Sequence, residues 1–211
     1  MKRSLTYDII FEIIIYIATV TFIIYGLVSG NKDYIMNGIL TMIVMFLPRL
    51  IMKIFKFKAS PFLNLLVQFF IFVSMFLGRL NNYYIKFSWW DLFLHATSGI
   101  VIFLVAYMIF LLQNDCEKDN VRPILIITYT LLFAVAMTAV WEMWEFTGDK
   151  LWGLNSQGGS LQDTMEDIIA GSAGPLLMVP LLYSYLKGKK NILFEDITNF
   201  VKNNNKKNKV N

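Results

Sequence analysis

Long apolar runs separated by short charged segments dominate the chain. Six of these runs each provide the roughly 20 residues that a helix needs to cross the hydrocarbon core of a bilayer. They cover about residues 7–28, 34–55, 61–80, 90–112, 123–147 and 161–186. Because lipid offers the backbone no hydrogen-bond partners, segments of this kind span the membrane as helices. The pattern predicts an all-α, polytopic transmembrane helical bundle formed by residues 1–190, followed by a basic cytoplasmic tail at residues 191–211.

The composition agrees with this interpretation. Hydrophobic residues make up 56% of the chain and charged residues 16%, whereas soluble domains are roughly 45–50% apolar and about 25% charged. The net charge is +4, but the basic residues flank the apolar runs, as expected for residues that set membrane orientation. We therefore expect membrane lipid as the partner and no nucleic acid. The sequence does not define an oligomeric state.

The basic residues also predict an orientation. With six spans, the N-terminus, the second and fourth loops and the tail lie on one side and hold fifteen lysines and arginines, against four on the other side. Such residues concentrate on the cytoplasmic side. This count predicts that both ends are cytoplasmic and that the protein is a multi-pass protein of the bacterial cytoplasmic membrane.

Two segments carry further structural expectations. Pro48 and Arg49 interrupt the second span, which is expected to kink or to end early. In the tail, a set of apolar residues predicts a short amphipathic helix lying on the inner leaflet. These residues are Ile192, Leu193, Ile197, Phe200 and Val201.

Acidic residues and the only histidine collect at the outer ends of spans 4, 5 and 6. Because neighbouring spans run in opposite directions, the start of span 4, the end of span 5 and the start of span 6 lie at one depth. Spacings of three or four residues place each pair on one helix face. The three pairs are Asp91 with His95, Glu142 with Glu145, and Asp163 with Asp167. The sequence thus predicts one shared pocket, from which Glu166 points away. Glu12 and Arg79 either join this pocket or pair elsewhere, and a structural role is expected for both.

The chemistry of these side chains indicates a cation site. An ionised carboxylate at membrane depth is costly unless it is paired or binds a cation, and no lysine or arginine lies on these faces. Many oxygens with one imidazole suit Mg²⁺, Mn²⁺ or Ca²⁺, with Zn²⁺ or Fe²⁺ as alternatives. We predict Glu145 as general base, with His95 as the alternative base. The predicted metal ligands are Asp91, His95, Glu142, Asp163 and Asp167.

A purely structural interpretation explains several of the same residues. Asp91 and Asp163 stand near helix N-termini, where acids complement the helix dipole. The five tryptophans near this face are explained by an interfacial aromatic belt. Small residues at Gly99 and at positions 170–174 predict close packing of spans 4 and 6, which would hold the acids together in either interpretation.

Three segments resemble the signature blocks of the YjdF-like bacterial inner-membrane proteins and, more distantly, of the VanZ-like proteins associated with glycopeptide resistance. Both groups share an Asp-x-x-x-His block, an acidic block and a late Asp-rich block before a glycine. The segments here are residues 90–99 (WDLFLHATSG), 141–146 (WEMWEF) and 162–171 (QDTMEDIIAG). The resemblance covers about residues 85–186. It implies the same six candidate site residues and no particular reaction.

The sequence is consistent with three functions. The first is a metal-dependent enzyme that acts on a lipid or lipid-linked substrate at the outer leaflet. The second is a non-catalytic envelope sensor or scaffold. The third is a cation- or proton-coupled carrier. Two observations argue against a carrier: the acids lie at one membrane end only, and no inverted repeat is evident in the sequence.

Overall fold

The chain forms helices throughout the residues that the structure describes. In this computed structural model the described residues are 6–114, 120–153 and 155–208, with side chains placed up to 204. Eight helices occur in these ranges. They are α1 (Tyr7–Ser29), α2 (Lys32–Ile54), α3 (Pro61–Leu80, with π-helical turns over Phe72–Leu80), α4 (Tyr83–Lys86), α5 (Trp90–Gln113), α6 (Pro123–Trp152), α7 (Leu161–Leu186) and α8 (Ile192–Asn208).

Six of these helices, α1, α2, α3, α5, α6 and α7, are long and apolar enough to cross a membrane. The predicted all-α polytopic fold with six spans is therefore confirmed. Helix α2 continues past Pro48 to Ile54, so the proline does not end the span. Helix α6 extends to Trp152, about one turn beyond its predicted end.

Local capping explains where several helices begin and end. Gly30 adopts a left-handed conformation, with φ of 70°, and ends α1. The next residue, Asn31, caps α2, because its side chain accepts hydrogen bonds from the backbone N–H groups of Asp33 and Tyr34. These two residues produce a tight turn between the first two spans. Ser60, followed by Pro61 at the first helical position, starts α3 in a similar way.

The chain divides into two compact units, residues 1–90 and residues 91–211. In the first unit, an apolar core joins α1, α2 and α3. Ile15, Met45, Ile71 and Met75 are its buried residues. Glu12 lies on the same helix as Ile15 and forms an ion pair with Arg49 of α2, so its role in this unit is structural pairing.

In the second unit, glycines let α7 approach α5 and α6 very closely. A Cβ on Gly174 would overlap the backbone carbonyl of Ala96, and one on Gly99 would overlap the carbonyl of Gly171. A Cβ on Gly171 would lie 2.5 Å from Cγ2 of Thr138 on α6. The predicted close packing of the fourth and sixth spans is confirmed, and the closest approach joins Ala96 and Gly99 of α5 to Gly171 and Gly174 of α7.

The tail helix α8 is amphipathic, but its buried face packs on protein. Tyr107 of α5 and Tyr185 of α7 both contact the Thr198 hydroxyl, at 2.9 and 3.0 Å. That hydroxyl donates its own hydrogen to the Phe194 carbonyl, so the two tyrosines are the donors. The expected lipid contact of Ile197 and Val201 is therefore wrong. The buried face of α8 consists of Phe194, Ile197, Thr198 and Val201.

Candidate functional site

The imidazole of His95 lies at the centre of the candidate site in the second unit. Its Nε2 is 3.7 Å from Oδ1 of Asp91 and 3.6 Å from Oδ2 of Asp167, and its Nδ1 is 3.8 Å from Oε1 of Glu142. His95 is 5% exposed, and Glu142 and Asp167 are each 3% exposed. Helices α5, α6 and α7 thus each contribute a carboxylate to one buried imidazole.

The acids divide between the two nitrogens of the ring. Asp91, His95 and Asp167 form one group whose potential ligand atoms lie within 4.8 Å of one another. His95, Glu142 and Glu145 form a second group that meets the same distance limit. The structure therefore places two three-residue clusters, joined by the histidine, where the sequence suggested one pocket.

Glu142 is the most unusual of these acids. Its carboxylate is buried, and neither oxygen has a hydrogen-bond partner in the part of the chain that the structure describes. Gln157 and Thr164 lie near enough to interact with the carboxylate. Their side chains instead bond to each other, at 2.9 Å, and the Gln157 amide reaches the Glu142 backbone carbonyl at 3.5 Å. A buried anion with no hydrogen bond is costly unless a cation compensates it.

Three other acids near the site have different environments. Asp163 is half-buried in the first turn of α7 and belongs to neither cluster. Glu166 is exposed and accepts a hydrogen bond from Gln162, so the expectation that it points elsewhere is confirmed. Asp149 accepts hydrogen bonds from the backbone N–H groups of Ser156 and Gln157, at 2.8 and 3.0 Å. It organises the turn before α7.

Sequence reasoning did not identify Gln157 and Thr164 as site residues. Both are uncharged, and Gln157 lies in a loop without a recognisable motif. The sequence gives one weak indication that Thr164 belongs to the site. Thr164 lies three residues before Asp167, and this spacing places its hydroxyl near the helix face that carries Asp167.

A cavity of about 790 Å³ opens beside Glu142. Its apolar wall includes Met143 and Phe146 of α6 and Ile168 of α7. The charged residues in the α6 portion of the lining are Glu142, Asp149 and Lys150, and Lys150 Nζ lies 5.6 Å from the centre of the Phe146 ring. The cavity therefore combines an apolar surface with two acids and one base, as a site for an amphipathic ligand would.

The tryptophans fall into two kinds. Trp141, Trp144 and Trp152 of α6 are more than half exposed, which agrees with an interfacial aromatic belt. Trp90 is buried, and its ring packs against those of Tyr83 and Phe87. The belt accounts for the exposed rings and leaves the buried histidine and acids unexplained.

Comparison with known proteins places the chain in a family. Residues 10–188 match the family described as predicted membrane protein, DUF2238. An uncharacterised protein of Thermotoga maritima is 32% identical over 120 residues, which are 56% of this chain and 60% of that protein. No solved structure matches the chain. The resemblance to YjdF-like proteins is consistent with this family, whereas these matches do not show the VanZ-like one.

The family match covers parts of all six spans, whereas the resemblance found in the sequence covers only the last three. It begins within α1 and ends just after α7. The chain is an integral, multi-pass membrane protein and belongs to the DUF2238 family of predicted membrane proteins.

Proposed function

We propose that this protein is a metal-dependent membrane enzyme that acts on a lipid or lipid-linked substrate at the outer leaflet. The observation that carries the proposal is the Glu142 carboxylate. It is buried and lacks hydrogen-bond partners among the described residues. It also lies 3.8 Å from the His95 imidazole and lines the cavity.

The imidazole geometry suggests where the ion binds. A histidine that ligates a metal through one nitrogen usually donates its other N–H to a carboxylate, which fixes the tautomer. Here Nδ1 faces Glu142, and Nε2 faces Asp91 and Asp167. We place the ion on the Nδ1 side, because the unpartnered oxygens and the cavity are there. Asp91 and Asp167 then orient the ring through Nε2–H.

Charge supports a divalent ion at this position. Among the described residues, no lysine or arginine forms an ion pair with Glu142, Glu145 or Asp167. Several carboxylates in a site of low dielectric constant repel one another strongly, so a doubly charged ion compensates them better than a single proton. One imidazole with carboxylate oxygens suits Mn²⁺, Zn²⁺ or Fe²⁺, and also Mg²⁺ or Ca²⁺ if oxygens dominate.

The cavity suggests the class of substrate. Met143, Phe146 and Ile168 would contact an acyl or prenyl chain, and Lys150 would attract an anionic headgroup. The positive-inside count puts this end of α6 at the outer leaflet. A bound metal would polarise a phosphoryl or acyl oxygen. Glu145 is less buried than Glu142 and lies in the same cluster, so we assign it as general base.

Metal content is the first test of the proposal. We expect elemental analysis of the detergent-purified protein to find about one divalent ion per chain, and the variants Glu142→Gln and His95→Ala to bind it far more weakly. Asp167→Asn should weaken binding by about 10- to 100-fold, as expected for a residue that orients a ligand. Glu166→Gln, which changes an exposed carboxylate on α7, is the matched control and should keep the metal. Negligible metal in wild-type protein after incubation with each candidate ion would contradict the site.

Turnover is the second test. Glu145→Gln should keep the metal and reduce turnover by about 100-fold or more, because general-base catalysis contributes typically 10²–10⁴-fold. The measurement is mass spectrometry of lipids from anionic phospholipid or prenyl-phosphate vesicles incubated with the protein and the metal. Loss of the metal in Glu145→Gln would instead identify this residue as a ligand. Bound metal with ion flux and no lipid turnover would favour a carrier, and bound metal with neither would favour a sensor.

A further inference from the structure

The cavity beside Glu142 extends along α6 from the membrane surface into the membrane. Its walls are α6, α7 and the loop residues that connect them. Along α6 the lining begins at Ala139 and ends at Lys150, a length of about 16 Å at a rise of 1.5 Å per residue. The positive-inside count puts the Lys150 end at the outer surface. The position of each lining residue in its helix therefore gives its depth.

The surface end of the cavity is polar. It is lined by Asp149, Lys150, Asn155 and Ser160. Asp149 is engaged by the loop, because its carboxylate accepts hydrogen bonds from two backbone N–H groups there. Lys150 forms no ion pair among the described residues. Its ammonium is therefore available to the phosphate of a lipid headgroup.

Glu142 lies deeper in the membrane than this ammonium. The two residues are eight positions apart on α6, which is about 12 Å along the helix axis. The Lys150 side chain shortens the separation, because its Nζ lies 5.6 Å from the centre of the Phe146 ring, and Phe146 is one turn after Glu142. The cavity thus has a basic group at the surface and a buried acid below it.

The wall between these two levels is open to lipid. Met143 and Phe146 line the cavity and are 65% and 52% exposed, on a helix that spans the membrane. Ala139 of α6 and Ile168 of α7 line its deep end. An acyl chain can therefore enter sideways from the bilayer and lie between α6 and α7, beside Glu142.

We propose that the substrate is a glycerophospholipid and that the reaction is hydrolysis of one of its carboxylic esters. The inference rests on the proposed function and selects acyl over phosphoryl chemistry at the same site. With the phosphate at Lys150 and an acyl chain along Met143, the group at the depth of Glu142 is the ester carbonyl, which lies a few bonds below the phosphate.

Charge favours the same choice. A phosphate at the depth of Glu142 would face a carboxylate, and Lys150 is the basic side chain among the described residues of the lining. Like charges repel strongly in a site of low dielectric constant. An ester carbonyl is neutral and avoids this repulsion, so the phosphate stays at the surface end.

The reaction needs water as its only co-reactant. Glu145 removes a proton from a water molecule as the water oxygen bonds to the carbonyl carbon. The bond between that carbon and the glycerol oxygen then breaks, and the proton passes to the glycerol oxygen. The products are a fatty acid and a lysophospholipid, and nothing is oxidised or reduced.

The test identifies lipid products by mass spectrometry. Full-length protein in detergent micelles, incubated with Mn²⁺, Zn²⁺ or Mg²⁺ in turn, receives phosphatidylglycerol, its dialkyl ether analogue or farnesyl diphosphate. We expect phosphatidylglycerol to yield fatty acid and lysophosphatidylglycerol. The ether analogue has the same headgroup without the carbonyls, so it should inhibit the reaction and remain intact.

Two results would overturn the inference in different ways. Phosphate release from farnesyl diphosphate, with no fatty acid from phosphatidylglycerol, would refute ester hydrolysis and leave the proposed metal-dependent lipid enzyme in place. No turnover of any of the three probes with any of the three ions would refute the proposed function, and the inference with it.

Lys150→Met tests the position of the phosphate. It should raise KM for phosphatidylglycerol about 10-fold or more, with a smaller change in kcat, because a charged hydrogen bond is lost. Turnover of diacylglycerol, which has no phosphate, should be equal in the variant and the wild type. Lys86→Met is the matched control, because Lys86 is exposed and lies 5.5 Å from the centre of the Tyr83 ring but is not in the cavity lining. An unchanged KM in Lys150→Met would overturn the assignment.

Discussion

Replacing Gly174 with alanine is expected to destabilise the protein by about 3 kcal/mol or more, at the upper end of the range for overpacked sites. The new Cβ would overlap the backbone carbonyl of Ala96 and would also lie 3.3 Å from Cγ1 of Ile100. A flexible side chain can rotate away from such a contact, but a carbonyl in the middle of a helix cannot. Helices α5 and α7 must therefore separate.

The separation should also affect the candidate metal site. His95 lies on α5, one residue before Ala96, and Asp167 lies two turns before Gly174 on α7. A shift of α7 would lengthen the 3.6 Å approach of these two side chains. Gly174→Ala should therefore lower both Tm and metal affinity, although the glycine contacts neither group.

A neighbouring substitution provides the control for this experiment. Ala173 is exposed on the same helix, and Ala173→Leu adds more volume than Gly174→Ala. We expect it to change stability by no more than about 0.5 kcal/mol, as is usual for surface positions. Equal effects of the two substitutions, measured by thermal unfolding in one detergent, would show that α5 and α7 are not packed through Gly174.

Arg49→Met is expected to destabilise the first unit by about 3 kcal/mol, the lower end of the range for breaking a buried ion pair from one side. Glu12 is fully buried and would lose the guanidinium that now lies 2.6 Å from its Oε2. The arginine side chain is 37% exposed, so water partly solvates it, which is why the lower end of the range applies. Methionine preserves most of the apolar contact of the replaced side chain.

A double-mutant cycle separates the ion pair from other effects of the substitution. Glu12→Gln combined with Arg49→Met removes both charges and should recover much of the lost stability, because the buried negative charge is removed together with the guanidinium that compensates it. Arg79→Met, at an exposed position at the end of α3, is the matched control and should have little effect. Additive losses in the double variant, measured by the same unfolding assay, would contradict a direct pairing of Glu12 with Arg49.

At the candidate site, the spacing of residues along each helix predicts the position of some side chains and not of others. Asp91, Glu142 and Asp167, one from each of the three signature segments, lie within 4 Å of His95, and the spacing rule had grouped them because residues three or four apart share a helix face. The same rule applied equally to Asp163, which the structure leaves outside both clusters. Periodicity defines a face about one third of the helix wide, and only packing selects which residue of that face points inward.

The six spans, their bounds to within a few residues and the all-α fold were determined by the sequence alone, because membrane insertion depends on local runs of apolar residues. The pairing of Glu12 with Arg49, 37 residues away, and of Asp8 with Asn64, 56 residues away, was decided only by the tertiary structure. So was the distribution of the acids between the two nitrogens of His95. Such contacts depend on the rotation of each helix about its own axis. The packing of neighbouring side chains and glycines determines this rotation, so it cannot be predicted from a local sequence pattern.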